Sequence, residues 1–119
     1  MQRPSPPADI SPADFFLRWV PGAVAQDAAR RGKLRETTAT IEFSLSGAGG
    51  GIFVLRIEQG EVRGHVGPGL DPDLRVELDV SSWRSLNSGV LSAPEALLRR
   101  QLQFSGDVLL GLKLHLILG

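Results

Sequence analysis

TATIEFSLSGAGGGIFVLRIEQGEVRGHV, residues 38–66, decides the fold class of this chain. Ile41, Phe43 and Leu45 alternate with Glu42 and Ser44. After the turn GAGGG, Gly47 to Gly51, a second alternating run carries Phe53, Leu55 and Ile57. Gln59-Gly60 turns the chain again, and Glu61 to Val66 continues extended. A period of two bounded by glycine turns is the pattern of an antiparallel meander with one buried face. Strands are expected near Thr38–Ser46, Ile52–Glu58 and Glu61–Val66.

Downstream, His65 to Asp73 reads as a Gly/Pro-rich loop. Leu74, Val76 and Leu78 then alternate with Arg75, Glu77 and Asp79, predicting a fourth strand. Ser81 and Ser82 can cap a short helix bearing Trp83 and Leu86 that Gly89 closes. Pro94 to Arg99 reads as another short helix, and Gln101–Phe104 as a fifth strand. Gly106-Asp107 opens a last helix over Val108 to Leu118, where the carboxylate caps free N–H groups.

Upstream, Ser11, Pro12 and Asp14 are a helix start: a capping hydroxyl, a proline in the first turn, and an acid facing the dipole. Phe15, Phe16, Trp19 and Val20 fall on one face of that helix. Pro21 is expected to kink or break it, since proline lacks a donor and clashes with the preceding turn. A second helical piece runs from Ala23 to Arg31, with Gly32 able to end it. Residues 1–10 read as a disordered tail, and residues 11–119 as one α+β domain: a five-stranded, mainly antiparallel sheet with helices over one face.

Composition excludes several functions. Basic and acidic residues number 13 each, so the formal net charge is zero. No global field favours nucleic acid or an anionic membrane, and weak self-repulsion leaves a homodimer open. There is no cysteine, which removes disulfides, thiolate metal sites and cysteine nucleophiles. The first residues hold no apolar run of signal-peptide type, and no stretch nears the ~20 residues that span a bilayer. Cytoplasmic localisation is the expectation. Eleven of the thirteen basic residues are arginine, and Ala, Gly and Pro abound, which points to a GC-rich bacterial gene.

Candidate chemistry is sparse. Strands flank the glycine run and no lysine follows it, so it is a hairpin rather than a phosphate loop. His65 and His115, even with Asp71 and Asp73, do not make the converging ligand set a zinc site needs. The serines occur in no nucleophile elbow. The reading is therefore of a non-enzyme with no catalytic residue, no metal and no cofactor. Arg30, Arg31, Lys33 and Arg35 form one basic cluster, suited to the end of a helix or to transient contact with phosphate headgroups. The closing VLLGLKLHLIL is apolar beyond the stripe a packed helix needs. Leu109, Leu112 and Leu116 are read as that stripe, with Leu110, Leu114, Ile117 and Leu118 partly outside it. Either this helix is buried on several sides, or its surplus meets a ligand, a membrane or a partner. The abrupt end at Gly119 suggests that this segment caps or lines a cavity.

The segment LNSGVLSAPEALLRRQLQFSGDVLLGLKLHLIL, Leu86 to Leu118, resembles the closing part of sterol carrier protein type 2 domains. The shared features are Leu86 and Gly89, the helix Pro94 to Leu98, the strand Arg100 to Phe104, Gly106-Asp107, and the apolar helix Leu109 to Leu116. TIEFSLSGAGGGIFVLRIEQGEV resembles the family's first hairpin with its acid-x-Gly turn, Glu58-Gln59-Gly60, and LDPDLRVELDVSSW its fourth strand and following helix. Arg99-Arg100 stands where the family often has glycine, a feature similar to some ubiquinone-biosynthesis accessory proteins of the same superfamily. The chain has no Ser-Lys-Leu ending, so peroxisomal work is not implied.

The resemblance implies an apolar tunnel between helices and sheet, no catalytic residues, and a ligand among sterols, fatty acyl chains, acyl-CoA and isoprenoid quinones. Phe43, Leu55, Trp83, Leu86, Phe104, Leu109, Leu112 and Leu116 are then expected among the cavity walls. The expected function is non-catalytic binding of an apolar molecule for solubilisation, transfer or presentation to other proteins. The alternatives are an assembly module with a filled core, an accessory lipid-binding factor in quinone or other lipid biosynthesis, or an enzyme acting on a lipid in the same cavity.

Overall fold

A computed structural model of the chain describes residues 6–118, leaving aside the side chains at positions 115 and 116. Five strands form one sheet in the order β3-β2-β1-β4-β5. They are β1 (Ala39–Ser46), β2 (Gly51–Glu58), β3 (Glu61–Val66), β4 (Leu74–Asp79) and β5 (Leu102–Gly106). All neighbours pair antiparallel except β1 and β4, which run parallel. The expected α+β class and strand positions hold.

Alternation sets the two faces. Register places Phe53 beside Phe43, Phe43 beside Val76, and Val76 beside Phe104, a row of apolar side chains crossing four strands. Leu55, Ile41 and Leu74 form the next row. Helices pack on this face. The outer face carries Thr40, Glu42, Arg56, Arg63 and His65. The connection from β3 to β4 lies across it: Gly67 N–H donates to the Ile52 carbonyl, and Asp73 N–H to the Thr40 carbonyl, each at 2.8 Å. Gly69 sits on Val54 and Thr40 and donates its N–H to Glu42 Oε1 at 2.8 Å. Arg75 Nε binds the other Glu42 oxygen at 2.9 Å. Glu42 and Val54 are therefore buried on the face away from the helices.

The N-terminal helical region begins as read from the sequence, with Ser11 Oγ accepting from Asp14 N–H at 3.1 Å. Helix α1 (Pro12–Asp14) passes into a π-helical turn (Phe15–Trp19) and then α2 (Val20–Ala25). The helix is not broken at Pro21, the stronger of the two outcomes expected there. The wide turn, closed by Val20 N–H on the Phe15 carbonyl, comes just before the proline and absorbs its misfit. The break falls instead at Gln26–Asp27. Asp27 is extended and caps α3 (Ala28–Leu34) through Oδ1 on Arg30 N–H at 3.1 Å. Gly32 does not end that helix, which continues to Leu34.

Helix α4 (Val80–Ser88) starts one residue before the serines expected to cap it. Asp79 holds the N-cap position, and Ser82 is buried inside the helix. Gly89 closes it at φ 81°, as read. Helix α5 (Ala93–Leu98) is capped by Ser92 Oγ on Glu95 N–H at 3.2 Å. The single C-terminal helix of the sequence reading is two pieces, α6 (Val108–Gly111) and α7 (Leu114–Leu118). Between them Leu112 and Lys113 donate to the carbonyls of Leu109 and Leu110, a tightening to i→i−3 bonding that breaks the α pattern. Of the expected tail, residues 8–10 are tied down: Arg84 Nη1 donates to the carbonyls of Ala8 at 3.2 Å and Ile10 at 3.1 Å.

Candidate functional site

The space between helices and sheet is the candidate site. Aromatic rings fill one end of it. Phe16 lies 4.7 Å from Phe43 and 5.3 Å, stacked, from Phe53. Phe15 meets Phe16 edge-on at 5.0 Å and Trp83 at 5.4 Å. The N-terminal helical region supplies Phe15 and Phe16, and α4 supplies Trp83. Close backbone approach makes this possible: a Cβ at Gly64 on β3 would collide with the Phe16 carbonyl oxygen.

The other end lies over β4 and β5 and is roofed by α6, with α7 packed beside it against α2 and α3. Asp107 caps α6 through Oδ1 on Leu110 N–H at 3.2 Å, as the sequence predicts. Gly111 is set against the ring of Phe104, where a Cβ would come within 2.9 Å of Cε2, so a side chain there would have to displace the ring or the helix. Leu110 and Ile117 turn inward and are buried; Leu114 and Leu118 are partly buried against the core. Helix α7 is held by Arg30, whose buried Nη2 donates to the Ile117 carbonyl at 3.0 Å. Asp27 Oδ2 stands 3.9 Å from Arg30 Nε.

The expected wall residues divide into three groups. Phe43, Leu55 and Trp83 are buried in the interlayer core, and Leu86 and Phe104 pack partly buried against it. Leu109 and Leu112 are 72% and 68% exposed, so the stripe assigned to them is on the wrong side of the helix. Leu110 and Ile117, read as lying partly outside it, take the inward positions. The side chain of Leu116 lies outside the described residues. Arg30 was not singled out from its basic neighbours by sequence, and only its burial separates it from exposed Arg31, Lys33 and Arg35.

Among the described residues the candidate acids and His65 do not converge. Asp73 Oδ2 accepts from Thr40 N–H at 2.8 Å, and Asp107 caps α6. Asp71 and His65 are exposed, and the His115 side chain lies outside the described residues. Among the described residues no cluster of His, Asp and Glu could hold a metal ion. Two hollows open on the surface, away from the interlayer space. One of about 560 Å³ lies beside Ile10, Asp14 and Trp19. The other, about 300 Å³, lies on the outer sheet face among Arg56, Glu58, Arg63 and His65. No described helix is long and apolar enough to cross a membrane.

Comparison with known proteins identifies relatives of this architecture. The model of the SCP-2 sterol transfer family matches residues 22–119. No curated protein sequence matches the chain. Among solved structures, the sterol carrier protein domain 2 of Helicoverpa armigera is similar with a TM-score of 0.70 and 19% identity, over 94% of this chain and 89% of that one. A palmitated SCP2L2 from Aedes aegypti gives a TM-score of 0.62 and 20% identity, over 88% and 91%. The stereoselective inverting sec-alkylsulfatase Pisa1 from Pseudomonas sp. gives 0.69 and 20%; 91% of this chain matches 16% of that enzyme. The chain thus spans about a sixth of the sulfatase. At these identities the structural likeness is one of fold.

Proposed function

The chain belongs to the SCP-2 sterol transfer family, and from that premise we propose that it takes an apolar molecule between its helices and its sheet and carries or presents it without chemical change. The observation that carries this reading is the pair of short C-terminal helices that roof the interlayer space, α6 over β4 and β5 and α7 against α2 and α3. Helices α6 and α7 have 4 and 5 residues, too few to be stable apart from their packing. They carry apolar side chains inward at Leu110 and Ile117 and outward at Leu109 and Leu112. Lifting this roof opens the floor at Phe104 and Val76 and lets a ligand displace packed side chains. Phe43, Leu55, Trp83, Leu86 and Phe104 then serve as walls, with Leu109 and Leu112 at the mouth. The drive is burial of ligand surface at roughly 25 cal/mol per Å². The scattered acids and the exposed His65 support a binding role over catalysis, and a cytoplasmic location is part of the proposal.

The test is a titration with a fatty acid, a sterol and an isoprenoid quinone, each followed by thermal melting. Binding of any one with a raised melting temperature supports the reading; no binding by all three removes it. A second reading is favoured by one observation: Val108, Leu109 and Leu112, at helical spacing, leave an apolar surface that a second copy would cover. Native mass spectrometry separates the two. A co-purified apolar molecule supports the carrier, and an empty dimer the assembly module.

A further inference from the structure

One buried side-chain polar atom among the described residues has no hydrogen-bond partner, and it is Nε1 of Trp83. Trp83 is 4% exposed, and α4 carries it into the core against Phe15 and Phe16 of the N-terminal helical region. An indole nitrogen can only donate. Of its ring neighbours, Phe16 is stacked out of the plane in which the N–H points, and Phe15, perpendicular to it, offers at most a weak π acceptor. Buried donors are paired in the great majority of cases, and an orphan bears the full desolvation penalty. Phenylalanine would fill most of this space without that penalty.

We propose that the Trp83 indole N–H is the polar contact for the interlayer ligand, and that this ligand is a neutral apolar molecule bearing a carbonyl oxygen: an ester, a ketone or a quinone. The assignment rests on the carrier reading and narrows its ligand. A plain hydrocarbon would leave the N–H as it stands in the free protein. A carboxylate would be buried against a single donor, which does not compensate a desolvated charge. The nearby cation is already engaged: Arg84, its Cζ 5.2 Å from the Trp83 ring centre, donates to the Ala8 and Ile10 carbonyls. An alcohol could accept from the indole, but it brings a hydroxyl proton of its own. No buried side-chain acceptor among the described residues lacks a partner to receive it. A carbonyl oxygen accepts and brings no donor.

The experiment presents methyl laurate, dodecane, dodecanol and laurate to the full chain from cyclodextrin. Binding is read from melting temperature and from the Trp83 indole resonance in a proton–nitrogen correlation spectrum, identified by its loss in Trp83→Phe. The ester should bind about tenfold tighter than dodecane, the worth of one net hydrogen bond. Trp83→Phe should bring the two together, and the indole proton should move downfield with the ester and not with dodecane. Equal binding of ester and hydrocarbon, an ester preference that survives Trp83→Phe, or a preference for laurate or dodecanol over the ester would each overturn the proposal. Should the variant fail to fold, the natural chain still decides: an indole resonance unmoved at saturation with methyl laurate overturns it. Absence of binding by all four removes the carrier reading itself, whereas binding of all four without an ester preference removes only this inference.

Discussion

Leu110 and Leu112 stand two positions apart in a run of similar residues and have opposite surroundings. Leu110 is 5% exposed and Leu112 is 68% exposed. Leu110→Ala is expected to lower unfolding free energy by about 2–4 kcal/mol through the lost apolar contact and the cavity left behind. Leu112→Ala should stay within about 0.5 kcal/mol of the parent. Urea unfolding midpoints measure both. The sequence reading assigned these roles the other way round, because a segment apolar on nearly every side has no phase to read. The phase comes from the seating of Gly111 on Phe104 of β5 and from the break at Leu112–Lys113, neither of which the apolar pattern encodes. Arg30 is a similar case. Nothing in Arg30-Arg31 marks which arginine is buried; the carbonyl of Ile117, 87 positions away, decides it. Arg30→Ala should cost about 1.5–3 kcal/mol, the worth of a charged hydrogen bond whose partner is left buried. Amide exchange should then quicken first over residues 114–118.

At the level of elements, the local signals were readable wherever they rest on neighbours in sequence. Ser11, Asp107 and Gly89 end or begin helices where their chemistry says they should. The π-helical turn was not readable, since a shift of hydrogen bonding by one residue needs no particular side chain. It lets the helix run past Pro21 while Phe15 and Phe16 both stay buried. That turn depends on the strand beneath it. Gly64→Ala is expected to push β3 from the Phe16 carbonyl and to cost about 1–3 kcal/mol, the usual range for overpacking, seen as a fall in melting temperature. The outer face gives a parallel lesson. Strand alternation marks Glu42 as solvent-facing, yet the β3–β4 connection buries it and draws on its carboxylate at Gly69. Arg75 is half exposed and its ion pair adds little. Glu42→Ala should therefore act mainly through the connection, with a loss of about 1–2 kcal/mol and faster exchange at the Gly69 amide.

For the molecule as a whole, the period-two runs were enough to locate all five strands, but not to join β4 to β1 in parallel. That pairing lies across the Gly/Pro-rich connection GPGLDPD, residues 67–73, and a non-local partner leaves no periodic trace. The burial of Phe43 and Leu55 was legible from the same alternation as the strands, and the inward phase of the last segment was not. Under the carrier reading, a ligand at a hundred times its dissociation constant should stabilise the domain by about 2.7 kcal/mol. For a chain of this size that raises the melting temperature by roughly ten degrees, measurable by calorimetry. The interruption at Leu112–Lys113 has a kinetic consequence. Pieces this short, α6 seated on β4 and β5 and α7 tied to α3 through the Arg30 guanidinium, can part from the core at a smaller free energy than global unfolding. Uptake then proceeds through a gate, and a gate has its own frequency. In stopped-flow mixing, the observed association rate should climb with ligand concentration and then level off at the opening rate of α6 and α7. Arg30→Ala should raise that ceiling while the initial slope changes less.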